Sequence, residues 1–272
     1  MAGMKKVFLD IGAHLGETLS EIRKEEYGFD RIVCFEPSPR CRAALKALAL
    51  DDDRVEICEF GLSDVDATAD LMRSGSVSAT IIPYKNDSII VEEVSDIVNI
   101  RNAAQWVINN IKENDLVVAK VNCEGAEVFI LNNLLDHGLL FVFYNIMIAF
   151  DVRDYPDLRH EELRVRSRLR MSGFSNFCFS DDVMIGKDHA QRIRHWLSNF
   201  GMDKPKFLAD VSEYRKLYSS SLVKYSKKSG RFYRIESRIK HALGYEQRFP
   251  GFLKILLRKF KYAMGLSRER PS

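Results

Sequence analysis

The sequence has no cysteine pair spaced as C-x-x-C, no internal repeat and no low-complexity tract. Its five cysteines, Cys34, Cys41, Cys58, Cys123 and Cys178, are odd in number. That usage points to reduced, mostly buried thiols of a cytoplasmic protein and offers no ligand spacing for a metal site. No stretch reaches the roughly 20 apolar residues needed to span a bilayer. Residues 1–6 lead into a short apolar run that already carries Asp10, so no signal-peptide core is expected there.

What is present is an ordinary globular composition. Of 272 residues, 46% are hydrophobic and 29% charged, enough to build a core without disulfides. The length admits one large or two small domains. The charge is unevenly spread. Residues 214–272 hold 16 Lys and Arg against 3 Asp and Glu, a local +13 in a chain whose total is +3. This divides the chain into a main domain at 1–200 and a basic, mostly helical extension at 201–272, suited to an anionic neighbour. Within the extension, residues 250–265 (PGFLKILLRKFKYAMG) first read as a helix docked on the core with a solvated basic face. The same pattern would let it lie peripherally on an anionic membrane. Aromatic residues interleaved with basic ones (Tyr214, Tyr218, Tyr225, Phe232, Tyr233) raise nucleic acid as a third, weaker reading.

The main domain reads as α/β. Residues 6–11 (KVFLDI) and 31–35 (RIVCF) are short apolar runs closed by turn residues, as buried strands are. A helix at 17–25 separates them. Glu36-Pro37-Ser38-Pro39 stops the second strand and opens a helix at 39–50, and a third strand is expected at 54–60. This β-α-β-α-β series predicts a parallel sheet with right-handed crossovers. An inserted β segment follows at 65–95, with strand-like runs at 67–72 and 88–94. Then come a helix at 102–111, a strand at 115–122, a helix at 124–135, a strand at 141–150, a helix at 160–171, one or two strands within 174–186, and helix beyond 189.

Residues that can hold a nucleoside-like ligand gather at the ends of successive strands. Gly12 and Gly16 flank the turn after the first strand, where glycine lets backbone approach a ligand. Asp10 can orient that loop and meet a ligand ammonium. Glu36, after the second strand, can accept two ribose hydroxyls. Ser63 and Asp64 follow the third strand, where Asp64 can accept from an adenine amino group while Leu62 packs on the ring. The dinucleotide fingerprint wants a glycine where His14 stands. A bulky residue there narrows the room for a pyrophosphate, so S-adenosylmethionine (SAM) ranks above NAD, and an NAD-dependent oxidoreductase is the weaker alternative.

The segments VFLDIGAHLGETL (7–19), CFEPSP (34–39), GLSD (61–64) and AKVNCEGAEVFILNNLL (119–135) together resemble the FkbM-type SAM-dependent methyltransferases. The resemblance covers about residues 5–150. It implies a class I Rossmann-like methyltransferase sheet with helices on both faces, and methyl transfer to a hydroxyl of a saccharide, glycolipid or related metabolite. It carries over Asp10, Gly12, Gly16 and Glu36 as cofactor contacts, and Lys120, Glu124, Gly125 and Glu127 as the signature after the fourth strand. The family usually has Asn where His14 stands and Asp where Asn122 stands. His14 can still hydrogen-bond to cofactor or substrate. Asn122 can still contact the cofactor but serves poorly as a base, which opens the alternative of a weakly active or inactive relative that binds SAM or a glycan. Glu124 is the first choice of base, with Glu127 second. Lys120, alternating with apolar neighbours, needs a carboxylate partner, expected to be Glu124 or Glu127. Asp151, Asp154 and His160 are further candidates after the fifth strand.

Overall fold

A computed structural model of the protein describes residues 4–82, 96–155 and 157–199. The basic extension expected at 201–272, including its amphipathic run, lies outside the described residues, as does the strand expected at 88–94.

The chain opens with β1 (Lys6–Ile11), α1 (Glu17–Ile22), β2 (Arg31–Phe35), α2 (Pro39–Ala49) and β3 (Val55–Cys58). Pro39 sits at the first turn of α2, where a missing N–H costs nothing. Next come β4 (Gly61–Ser63), β5 (Ala67–Leu71), β6 (Asp96–Asn102) and α3 (Ala103–Asn110), the last capped by Asn102, whose side chain accepts from the Gln105 N–H. β7 (Leu116–Val121), α4 (Glu127–Asp136), β8 (Phe143–Ile148), α5 (Arg159–Met171), β9 (Phe177–Phe179), α6 (Ser180–Val183) and α7 (His189–Asn199) complete it.

Six strands form one sheet in the order β3-β2-β1-β7-β8-β9. Every pairing in it is parallel. This is an α/β, Rossmann-like sheet. The direction of winding reverses between β1 and β7, where connecting loops part and leave a crevice beyond the strand carboxyl ends. Successive side chains of a strand face opposite ways. In β1, Val7, Leu9 and Ile11 therefore join a core with Val107 of α3, Leu131 of α4 and Val165 of α5. Phe8 joins a second core on the other face with Leu19 of α1, Leu45 of α2 and Trp196 of α7. Helices thus cover both faces. All five cysteines are free thiols. Among the described residues no helix is long and apolar enough to cross a membrane.

Several expected boundaries move, for local reasons. α1 ends at Ile22 rather than residue 25, and a 3-10 turn at Glu25–Tyr27 takes up the remainder. The third strand stops at Cys58, because Gly61–Ser63 leaves for a separate three-stranded sheet ordered β4-β6-β5. In that sheet β5 pairs antiparallel with β6, a strand missing from the sequence reading. α4 starts at Glu127 and not at residue 124, since Glu124 and Gly125 hold left-handed φ of 50° and 99°. Residues 174–186 yield one strand and the short helix α6 in place of a second strand.

Candidate functional site

The carboxyl ends of β1, β2 and β7 open into a cleft of about 270 Å³. Gly12, Ala13 and His14 line it after β1, Glu36 and Pro37 after β2, and Asn122, Cys123 and Glu124 after β7. The small sheet closes one wall with Leu62, Leu71 and Ile100. Thr18 of α1 and His189 of α7 stand on another wall.

The β1 loop is shaped by close contact with the protein itself. Gly12 has φ +86°, and a Cβ there would lie 1.8 Å from the Asn122 carbonyl oxygen. Its glycine is required by the crossing of two chain segments. At Gly16, φ +95°, a Cβ would press on Leu48 and Leu45 of α2, so that glycine serves helix packing. At both positions the space that a Cβ would take is held by the chain itself. Gly16 does not line the cleft.

Glu36 ties the two loops together. One carboxylate oxygen accepts the His14 N–H and the other the Ser38 N–H, both at 2.8 Å. Burial raises its pKa, while those two backbone donors oppose the shift. Each oxygen retains a lone pair for a further donor. Glu17 also borders the cleft. Burial favours its neutral form, but its own backbone N–H and His14 outweigh that and hold its pKa below the ordinary carboxylate value. An ionised Glu17 only accepts, so His14 Nδ1 donates to it at 2.9 Å. His14 Nε2 is buried and has no partner among the described residues.

Lys120 pairs with neither Glu124 nor Glu127. Its Nζ lies 2.8 Å from Asp10 and 3.0 Å from the Gly12 carbonyl. The cause is register: Asp10 and Lys120 sit opposite each other on adjacent parallel strands and share a face. Asp10 is fully buried and Lys120 4% exposed, so the pair is an internal brace beneath the loop. Burial raises Asp10's pKa, and Lys120 is the group that opposes it. Asp10 is absent from the cleft wall.

Glu127 is buried behind the β7 turn. Its Oε1 accepts the N–H groups of Cys123 (2.9 Å) and Gly125 (3.0 Å), and Oε2 has no partner among the described residues. Burial, then Asp151, push its pKa from 4.5 to about 8. The native state therefore keeps a proton that the unfolded chain has released above pH 4.5. Stability contributed by this group falls as pH rises from 4.5 to about 8 and levels off beyond. Glu127→Gln should flatten that part of the stability profile and be the more stable protein at pH 8, by a few kcal/mol, in denaturant titrations run across the range. An unchanged slope would show that Glu127 is already ionised.

Glu124 faces the cleft from a left-handed turn. Its carbonyl accepts from Thr80 (2.8 Å) and Tyr155 (3.2 Å), which fixes the turn. Burial, reinforced by Asp151, raises its carboxyl from 4.5 to about 7. Among the described residues, only His14, Arg73 and Glu124 are non-glycines with left-handed φ. His14 and Glu124 line the cleft, and Arg73 is a charge neighbour of Glu124. Such conformations persist only where surroundings enforce them, and they concentrate at functional sites.

The remaining sequence candidates are more distant. Ser63 donates to Asp64 at 3.2 Å, and neither lines the cleft, whereas Gly61 and Leu62 do. Asp151 accepts a backbone hydrogen bond from Glu124 and, with Asp154, raises the Glu124 pKa through its charge, while His160 pairs with Glu161 on α5. No His, Cys, Asp and Glu cluster suited to a metal ion occurs among the described residues.

No family model matches this chain. No curated protein matches it. One solved structure is similar in part. It is the methyltransferase FkbM from Methylobacillus flagellatus KT, 17% identical over 49% of this chain and 29% of that one, with a TM-score of 0.33. The match spans under a third of that protein's length. His189, Thr18, Leu71 and Ile100 were not singled out in the sequence, whereas Leu62 was. His189 lies 171 residues from its partner Thr18, and no local pattern marks it.

Proposed function

We propose that this protein is a SAM-dependent methyltransferase acting on a hydroxyl of a saccharide, glycolipid or related metabolite. The observation that carries this reading is the charge of the cleft. Its ionisable lining includes the carboxylates Glu17, Glu36 and Glu124, while the buried cation Lys120 is matched by Asp10. A cationic sulfonium suits such a lining, and a pyrophosphate would be repelled by it, which weighs against NAD. In this reading Glu36 accepts the ribose hydroxyls, and Leu62 with Ile100 offers the base an apolar wall. The resemblance of the strand-end motifs to FkbM-type enzymes supports the same choice. Titration calorimetry with SAM tests it, and folded protein that gives no binding heat overturns it. Mass spectrometry of extracts incubated with the protein and isotopically labelled SAM would identify the acceptor.

Transfer to oxygen is an in-line displacement in which the acceptor loses its proton. Glu124 takes that proton in this scheme. With its pKa near 7, the base form grows as pH rises, so kcat/KM should climb through about pH 7 and then level. Glu124→Gln should lower kcat about 100-fold or more and erase that limb in initial-rate measurements. A variant that keeps both rate and limb moves the role elsewhere.

Asn122 favours a second reading, a SAM- or glycan-binding protein without turnover, because an amide cannot take up a proton at neutral pH. Its backbone is pinned to β1, the Asn122 N–H donating to Ile11 at 3.0 Å, so Asn122→Asp would alter chemistry with little change of shape. A gain of methyl transfer in that variant supports a decayed site.

A further inference from the structure

His189 belongs to none of the strand-end motifs, yet it lines the cleft. It opens α7, and α7 is held firmly. Trp196 is fully buried and packs edge-on against Phe8 of β1, with ring centres 6.0 Å apart. Arg194 reaches the buried carboxylate of Glu21 on α1 at 3.1 Å. The His189 ring is fixed in turn, with Nε2 2.9 Å from the Thr18 hydroxyl. A donor carried by a rigid helix and oriented by a second hydrogen bond is pre-organised for a ligand.

Charges of both signs surround His189. Lys120 and Arg192 are its cationic neighbours; Asp10 and Glu17 are its anionic ones. Thr18 and His189 line the cleft, and so do Glu17 and His14. An anion alone would meet Glu17. A group with both charges on one carbon fits: its carboxylate toward His189, its ammonium toward Glu17.

We propose that His189 is a specificity-determining residue, making this corner of the cleft select a ligand with a zwitterionic α-amino-acid head. The inference rests on the SAM reading, in which that head is the methionine end of the cofactor. It adds α7, beyond the span of the motif resemblance, to the binding site. Burial, then Lys120, lower the His189 pKa and favour the neutral ring; with the Thr18 hydroxyl donating to Nε2, the Nδ1–H is the donor left for a carboxylate.

The test compares two ligands with the full chain: SAM, and methylthioadenosine, which keeps the base, the ribose and the methylated sulfur, as a neutral thioether, but has no amino-acid head. Native protein should bind SAM more tightly. His189→Ala should weaken SAM about 10- to 100-fold, the size of one lost charge-assisted hydrogen bond, and leave methylthioadenosine within about twofold. His189→Gln, which keeps a donor and can still reach Thr18, should retain part of the preference. Unchanged melting temperatures separate this from a displaced α7. Equal weakening of both ligands by His189→Ala, or no weakening of SAM, overturns the assignment while leaving the SAM reading intact. Native protein that binds methylthioadenosine as tightly as SAM overturns it too. Native protein that binds neither overturns the SAM reading and this inference with it.

Discussion

Glu36→Ala should weaken SAM binding by about 100-fold or more in titration calorimetry, the largest loss expected of any single cleft substitution. Two effects add. The variant lacks the acceptor assigned to the ribose diol. It also strands the N–H groups of His14 and Ser38, which Glu36 holds at 2.8 Å each. An unsatisfied buried donor costs about 1–3 kcal/mol, so the β1 loop would lose its set conformation as well. Glu36→Gln does not restore the site, because its amide nitrogen would face one of two backbone donors. Glu36→Asp is one methylene short of spanning both. A folded Glu36→Ala protein that binds SAM like the native chain would refute the ribose assignment.

Lys120→Met should be the most destabilising of the conservative-volume changes near the cleft. It leaves Asp10 fully buried without its cation, and Asp10 Oδ2 already has no partner among the described residues. Breaking a buried pair in this way costs about 3–5 kcal/mol. In a domain of this size each kcal/mol lowers the melting temperature by about 2–4 °C, so a fall of roughly 10 °C is expected by calorimetry or circular dichroism. Pairing it with Asp10→Asn removes the stranded charge and should recover much of the loss. A double variant no better than Lys120→Met would place the damage in packing instead.

Much of this was readable from the chain. β1, β2 and β7 are short apolar runs with turn residues behind them, and burial on both faces leaves such runs little choice. Pro39 marked the start of α2 through its own geometry. β6 carried a signal that was passed over: Val98 and Ile100 are buried while Ile97, Asn99 and Arg101 are exposed, the period-two pattern of a half-buried strand. The Asp10–Lys120 pair was also within reach, since both are next to last in adjacent parallel strands. The left-handed turn at Glu124 was less legible, because only Gly125 hints at it and the helical period resumes immediately afterwards. His189 could not be found at all, for its place depends on how α7 packs against α1. The roles of Gly12 and Gly16 needed the fold in another way. A glycine reports that a Cβ does not fit, and only coordinates tell whether ligand or chain occupies the space.

The small sheet has a thin interior of its own, built on Leu71, Val98 and Ile100. Leu71 and Ile100 also face the cleft, so this interior is finished on one side by whatever fills the crevice. β4 is tied to the main core through Leu62, and Asn133 of α4 donates to the Asp64 carbonyl just beyond it. A ligand wedged between the two sheets would act as mortar. The stability of the small sheet would then rise with the concentration of ligand.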